Sequence, residues 1–203
     1  MPTTDNATRQ KILRAARQRF AHCGYAGTSV QDIVGAARVT KPVLYYYFTS
    51  KAALYQALVD SAHDERYRLM HQAAARGGSL EEQFVEILAA QFAFLKGNRE
   101  LMRLAFATAF AAPGEMPAEI DFLKKSRRNF EFVHGLIRRD LAAGGLDRRF
   151  ASRELAYGLF GSMNVYLMAH LLLPDCNLNR QTAERIVSLF LSGAGAKNSR
   201  KKK

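Results

Sequence analysis

The residues best equipped for chemistry stand together between Thr28 and Lys51, and that chemistry is recognition, with no bond making in it. Lys41 is the lone cation in the run Lys41-Pro42-Val43-Leu44-Tyr45-Tyr46-Tyr47-Phe48, and Lys51 follows shortly after. An ammonium group can bond a base edge or a phosphate, and a phenol can pack while donating to a phosphate oxygen. Three consecutive tyrosines exceed what so short a segment can bury, so at least one is expected to be structural and the others to face outward. Elsewhere there is no phosphate-cradling glycine loop, no HExxH and no Gly-x-Ser-x-Gly. The five histidines, His22, His63, His71, His134 and His170, are scattered without metal-ligand spacing, although His63 and His71 could share a helix face. No catalytic residue, metal or cofactor is therefore expected.

Positioning these groups requires a helical frame. No strand-like alternation is sustained, whereas apolar residues recur every three or four positions almost throughout, so the chain reads as all-α with about nine helices. The first is expected from about Thr8 to Cys23, with Ile12, Ala16, Phe20 and Cys23 on one stripe and Gly24 as its stop. Thr28 and Gln31 have capping-box spacing and open a second helix reaching about Ala37. Thr40 caps a third, Lys41 to Phe48, whose Pro42 lies in the first turn where a missing N–H costs nothing. The connection Arg38-Val39-Thr40 is tight, and Ile33, Ala37, Val39 and Leu44 are spaced to lock the two short helices together as a helix-turn-helix.

The stretch from Thr28-Ser29-Val30-Gln31-Asp32-Ile33-Val34 through Val39-Thr40-Lys41-Pro42-Val43-Leu44-Tyr45-Tyr46-Tyr47-Phe48-Thr49-Ser50-Lys51 resembles the DNA-binding signature of the tetracycline-repressor (TetR) family. The likeness is close over about the first 60 residues, and the helix count afterwards is similar to the family's variable effector domain. The resemblance implies a homodimer on an inverted-repeat operator, usually repressing until a small molecule binds. It assigns Lys41, Pro42 and Val43 to base reading, and Thr40, Tyr45, Tyr46 and Lys51 mostly to phosphates. Ser29 and Gln31 fall where the backbone or a base edge is contacted at a helix N-terminus. Tyr47 stands evenly between phosphate contact and packing. Three positions depart from the common pattern: Arg38 where glycine often turns the chain, Val34 where alanine is common, and Ala52 where an acid often follows the lysine. A positive φ at Arg38 would cost roughly 1 kcal/mol relative to glycine.

Charge supports a phosphate-facing N-terminus. The net charge of +12 is concentrated at the ends: residues 1–51 carry +6, residues 52–192 +1 and residues 193–203 +5. A basic module on a nearly neutral body is the footprint of nucleic-acid binding joined to another task. The two cysteines, Cys23 and Cys176, have no CxxC companion, and the polar N-terminus lacks a leader pattern, which together suggest a reducing, cytoplasmic setting.

The sequence thus divides into a three-helix DNA-binding domain (1–51), a linking helix (51–75), an effector-binding and dimerisation domain (52–192) and a disordered basic tail (193–203). In the body, Ser50 caps the linking helix and Ser79 with Glu82 boxes the next, to about Lys96. Asn98 opens another that ends before Pro113, and long helices are expected over about 118–143, 151–173 and 179–191. Leu155 to Leu173 carries no formal charge over nineteen residues and approaches a membrane span in length. Its small residues Gly158, Ser162, Val165 and Ala169 instead suit a partner helix, with Ile186, Val187, Phe190 and Leu191 beside them as the dimer interface, and no membrane is expected. Polar residues interrupt apolar stripes at Gln91, Arg127, His134 and Asn164, and Phe84, Phe92, Met102, Phe106, Phe130 and Met163 could line a pocket around them. The expected effector is a mostly apolar small molecule. The alternatives are a constitutive dimeric DNA binder without effector, and an enzyme or membrane-associated protein carrying a borrowed DNA-binding module.

Overall fold

The structure, a computed structural model, describes residues 4–173 and 176–194. Its elements are all helices: α1 (Thr4–Cys23), α2 (Val30–Ala37), α3 (Lys41–Tyr47), α4 (Lys51–Ala74), α5 (Leu80–Gly97), α6 (Arg99–Ala109), α7 (Leu123–Ala143), α8 (Ser152–Leu172) and α9 (Arg180–Ala194). Among the described residues there is no strand, as the periodicity requires. The basic tail expected from Gly193 onward lies mostly outside the described residues, with Gly193 and Ala194 ending α9.

Several helix ends follow from local hydrogen bonding. Gly24, at φ +70, turns the chain after α1 and returns its N–H to the Phe20 carbonyl. The cap of α2 is Ser29, one residue later than the spacing suggested. Its hydroxyl accepts from the Asp32 N–H at 3.1 Å, while the Asp32 carboxylate accepts from the Ser29 N–H at 2.9 Å. A carboxylate at this place satisfies the helix N-terminus better than the amide of Gln31, and Thr28 turns its hydroxyl to the Gly24 carbonyl. The expected Ser79–Glu82 box does open α5. Helix α7 starts five residues later than expected because Asp121 takes the cap, its Oδ1 accepting from the N–H groups of Leu123 and Lys124.

Contacts divide the chain into two compact units, residues 1–64 with 98–125 and residues 65–97 with 126–203. The first unit is therefore larger than the expected 1–51 domain, because α1 packs on α6 as well as on α2 and α3. Its core joins Ile12, Ala16 and Phe20 to Ile33, Leu44, Leu54 and Tyr55, all within 1% of complete burial. Tyr55 meets Phe20 edge-on at 4.9 Å and bonds the Thr108 hydroxyl. Leu44 alone contributes about 2 kcal/mol by leaving water, which fixes the orientation of α3. In the second unit α5 packs against α8 and α9, and the core is Phe84, Leu88, Phe92, Leu95, Phe130, Met163, Leu167 and Val187. Helix α8 is long and apolar enough to cross a bilayer by composition, but Leu155, Ala156, Leu159, Met163, Leu167 and Leu171 are buried inside the protein. Packing accounts for part of its apolar character, while Tyr157, Val165 and Leu172 remain exposed.

Candidate nucleic-acid interface and effector-domain cluster

The helix-turn-helix is built around one strained residue. Arg38 closes α2 at φ 54, ψ 48, and its N–H bonds the Gly35 carbonyl, while Val39 N–H reaches Val34. The turn thus keeps the left-handed geometry that glycine usually serves. Beyond it, Leu44 anchors α3, and Lys41, Pro42, Tyr45 and Tyr46 are exposed, Tyr46 at 77%. Val43 is half-buried, and Thr40 and Gln31 are exposed. A lysine and two phenols exposed on one short helix are a combination suited to base edges and phosphates.

Three residues of this set have internal partners. Tyr47 is half-buried, donates to Asp5 Oδ1 at 2.6 Å and meets Tyr46 edge-on, so it is the structural member of the three tyrosines. Bonding to that carboxylate holds its phenol above the ordinary tyrosine range. Ser29 spends its hydroxyl on the α2 cap, and the Ser29 hydrogen bonds hold Asp32 below the usual carboxylate range. Lys51 donates to the carbonyls of Tyr25 at 3.0 Å and Thr28 at 2.9 Å, with its ammonium 4.2 Å from the Tyr25 ring centroid. It clamps the α1–α2 connection to the start of α4, a task its spacing alone did not reveal.

A polar cleft of about 620 Å³ lies in the same unit, lined by Arg9, Arg14 and Arg17 of α1, by Asp60 and Asp64 of α4, and by Lys125. Its charges are largely paired internally: Arg17 with Glu100 at 3.1 Å, and Lys125 with both aspartates.

The residues expected to hold an effector are divided between the two units. Met102 and Phe106 belong to the first unit; Phe84, Phe92, Phe130 and Met163 are buried in the second. Arg127 is exposed, since the buried face of α7 is Asn129, Phe130, Val133, Leu136 and Ile137. His134 bonds Ser152 and Glu131 near the surface of the second unit. Gln91 and Asn164, however, do converge, on a residue the sequence reading passed over. Arg66 of α4 is 4% exposed; its Nε donates to Gln91 Oε1 at 2.9 Å and its Nη2 to Asn164 Oδ1 at 2.8 Å. Gln91 in turn donates to the Arg66 carbonyl and Asn164 to the Phe160 carbonyl. Burial pulls the guanidinium down to about 10, which leaves it charged at neutral pH. Arg66 sits on the apolar stripe of Ala62, Met70 and Ala73, the same signal that marked Gln91.

The candidate dimer face also splits. Val165 is 57% exposed, Gly158 exposed, and Ser162 and Ala169 half-buried. Phe190 and Leu191 are half-buried, Phe190 packing beside Gly158. Ile186 and Val187, at 4% and 0%, are spent inside the chain, because that face of α9 fills the core of its own unit.

Comparison with known proteins places this arrangement. Residues 12–58 match the family described as bacterial regulatory proteins, tetR family. Residues 12–58 form a DNA-binding module of the TetR type. A curated relative, the HTH-type transcriptional regulator TtgR of Pseudomonas putida, is 27% identical over 167 residues, covering 65% of this chain and 79% of its own. A TetR family regulator from Marinobacter aquaeolei superposes with a TM-score of 0.78 at 19% identity over 97% of this chain and 100% of its own. The regulator FadR of Bacillus subtilis, solved with stearoyl-CoA, does so at 0.73 and 17% identity, covering 91% and 98%. At those identities the two structures show the shared fold. The chain is a DNA-binding transcriptional regulator with a helix-turn-helix.

Proposed function

We propose that this regulator is a cytoplasmic, homodimeric repressor that grips an inverted-repeat operator with α3 and releases it when a small molecule binds the second unit. The observation that carries this reading is α3 itself: Lys41, Pro42, Tyr45 and Tyr46 stand exposed on a helix held from behind by buried Leu44, on a strongly basic N-terminal segment. In this reading Lys41, Pro42 and Val43 reach base edges, and Thr40, Tyr45 and Tyr46 reach phosphates. Gln31 touches the backbone from α2. Two recognition helices about one helical turn apart need two linked chains. The exposed part of α8, with Gly158 and Val165, supplies the link, together with Phe190 and Leu191 of α9.

Helix α4 is the connecting element in this scheme, because Lys51–Asp64 belong to the DNA-binding unit and Glu65–Ala74, with Arg66, to the other. A ligand that favours the released state shifts the population only through differential affinity, about 10⁴-fold for a change from 1:99 to 99:1. Operator DNA must then weaken the ligand by the same factor. A fold relative was solved with stearoyl-CoA, whose long acyl chain is in keeping with an apolar part in the effector. Footprinting on DNA flanking the gene tests the reading: a protected inverted repeat is expected, and wholly sequence-independent binding overturns it.

A further inference from the structure

A buried arginine that faces only neutral partners needs a reason. A guanidinium carries five N–H donors, of which Gln91 and Asn164 take two. The other three, on Nη1 and Nη2, have no partner among the described residues. Nor does any carboxylate pair with Arg66: its neighbour Glu65 is engaged with Arg68. Removing a cation from water costs several kcal/mol, and a neutral amide oxygen returns far less of that than an opposite charge. The two acceptors in place lie along the Nε–Nη2 edge, leaving the Nη1–Nη2 edge, which is itself a two-point fork for a planar oxyanion.

The surroundings say what kind of anion fits. One turn before Asn164 stands Phe160, half-buried, with the Phe130 ring edge-on to it at 5.7 Å. Tyr157 stacks on Phe130 at 4.6 Å and is 59% exposed. An aromatic lane therefore runs from the neighbourhood of the buried cation to the surface of the second unit. One positive charge is balanced by one negative charge; a dianion would leave a net charge buried.

Resting on the effector reading above, we propose that Arg66 is the anchor for a monoanionic amphiphile: a carboxylate takes the free guanidinium edge, Gln91 and Asn164 hold that edge in place, and the apolar body lies along Phe160 and Phe130. The expected effector is thus apolar with one obligatory acidic head.

Calorimetric titration of the full-length protein at pH 8 with decanoate, 1-decanol and decyl phosphate tests this. Decanoate is expected to bind at least tenfold more tightly than either of the others. Arg66→Met should lose at least tenfold for decanoate with 1-decanol unchanged, while Arg66→Lys, which keeps the charge but not the fork, falls between. Equal binding of decanoate and 1-decanol, a preference for decyl phosphate, or no binding of decanoate overturns the anchor, and the wild-type comparison decides this even if a variant fails to fold. Operator release is read separately by footprinting. Arg66-dependent decanoate binding that leaves the footprint intact would sink the release mechanism and spare the anchor; release by 1-decanol alone would do the reverse.

Discussion

Replacing Lys51 by methionine separates two roles for the same side chain. The substitution keeps most of the aliphatic stem and removes the ammonium, so what is lost is the pair of bonds to the Tyr25 and Thr28 carbonyls and the contact with the Tyr25 ring. Hydrogen bonds from a charged donor contribute about 1.5–3 kcal/mol each, and a cation over an exposed ring about 0.5–1 kcal/mol. Lys51 is half-buried, and water can replace part of what is removed. The net loss therefore falls below the summed contributions of about 3.5–7 kcal/mol, at about 2–3 kcal/mol in total. For a chain of this length that corresponds to a fall in Tm of about 5–10 °C. Scanning calorimetry without DNA measures it directly. A side chain whose business was solely with phosphate would leave Tm untouched and reduce the salt dependence of operator binding by about one phosphate. A Tm within about 1 °C of wild type, together with that flattened salt slope, would refute the clamp.

Arg38→Gly should stabilise the first unit by about 0.5–1 kcal/mol, since relief of a left-handed L-residue outweighs the added chain entropy of glycine; a lower Cm in urea would contradict the strain. Lys41→Ala should cut discrimination at one operator base by about 1–3 kcal/mol in competition binding, and equal losses on operator and random DNA would speak against base reading. Val165→Arg should sediment as a monomer with an unchanged circular dichroism spectrum, whereas a persisting dimer would remove exposed α8 from the interface. Asp32 is held below its ordinary pKa by Ser29, so its cap is at full strength above about pH 4 and weakens as pH falls through the lower, folded value. Acid titration of the wild type against Asp32→Asn should show that added loss only in the wild type.

The fold was legible because its signals are local: apolar periodicity, the Ser79–Glu82 box and the Gly24 stop each act within a few residues. Where two local solutions competed, geometry decided. Thr28–Gln31 and Ser29–Asp32 both satisfy capping spacing, and the carboxylate prevailed. Periodicity also says that a helix face is buried without saying against what, which is why Ile186 and Val187 were expected at a partner and fill their own core instead. Arg66 escaped notice for a different reason. Arginine in a long amphipathic helix ordinarily snorkels to water, so its place on the Ala62–Met70–Ala73 stripe does not by itself mark it as buried. The convergence of Gln91 and Asn164 on it is a tertiary fact, spread over 98 positions of chain.

The Ser29–Asp32 cap bears on how operator DNA is gripped. A helix N-terminus ordinarily offers its loose amide protons to a passing phosphate. Here that end of α2 already hosts an anion of its own, covalently tethered and never diluted away. A nucleotide backbone settling there would meet like charge and would have to evict a resident carboxylate. In the proposed grip, a phosphate pressed against the start of α2 would meet the Asp32 carboxylate, so any backbone contact there would fall to the Gln31 side chain and not to the capped amide protons.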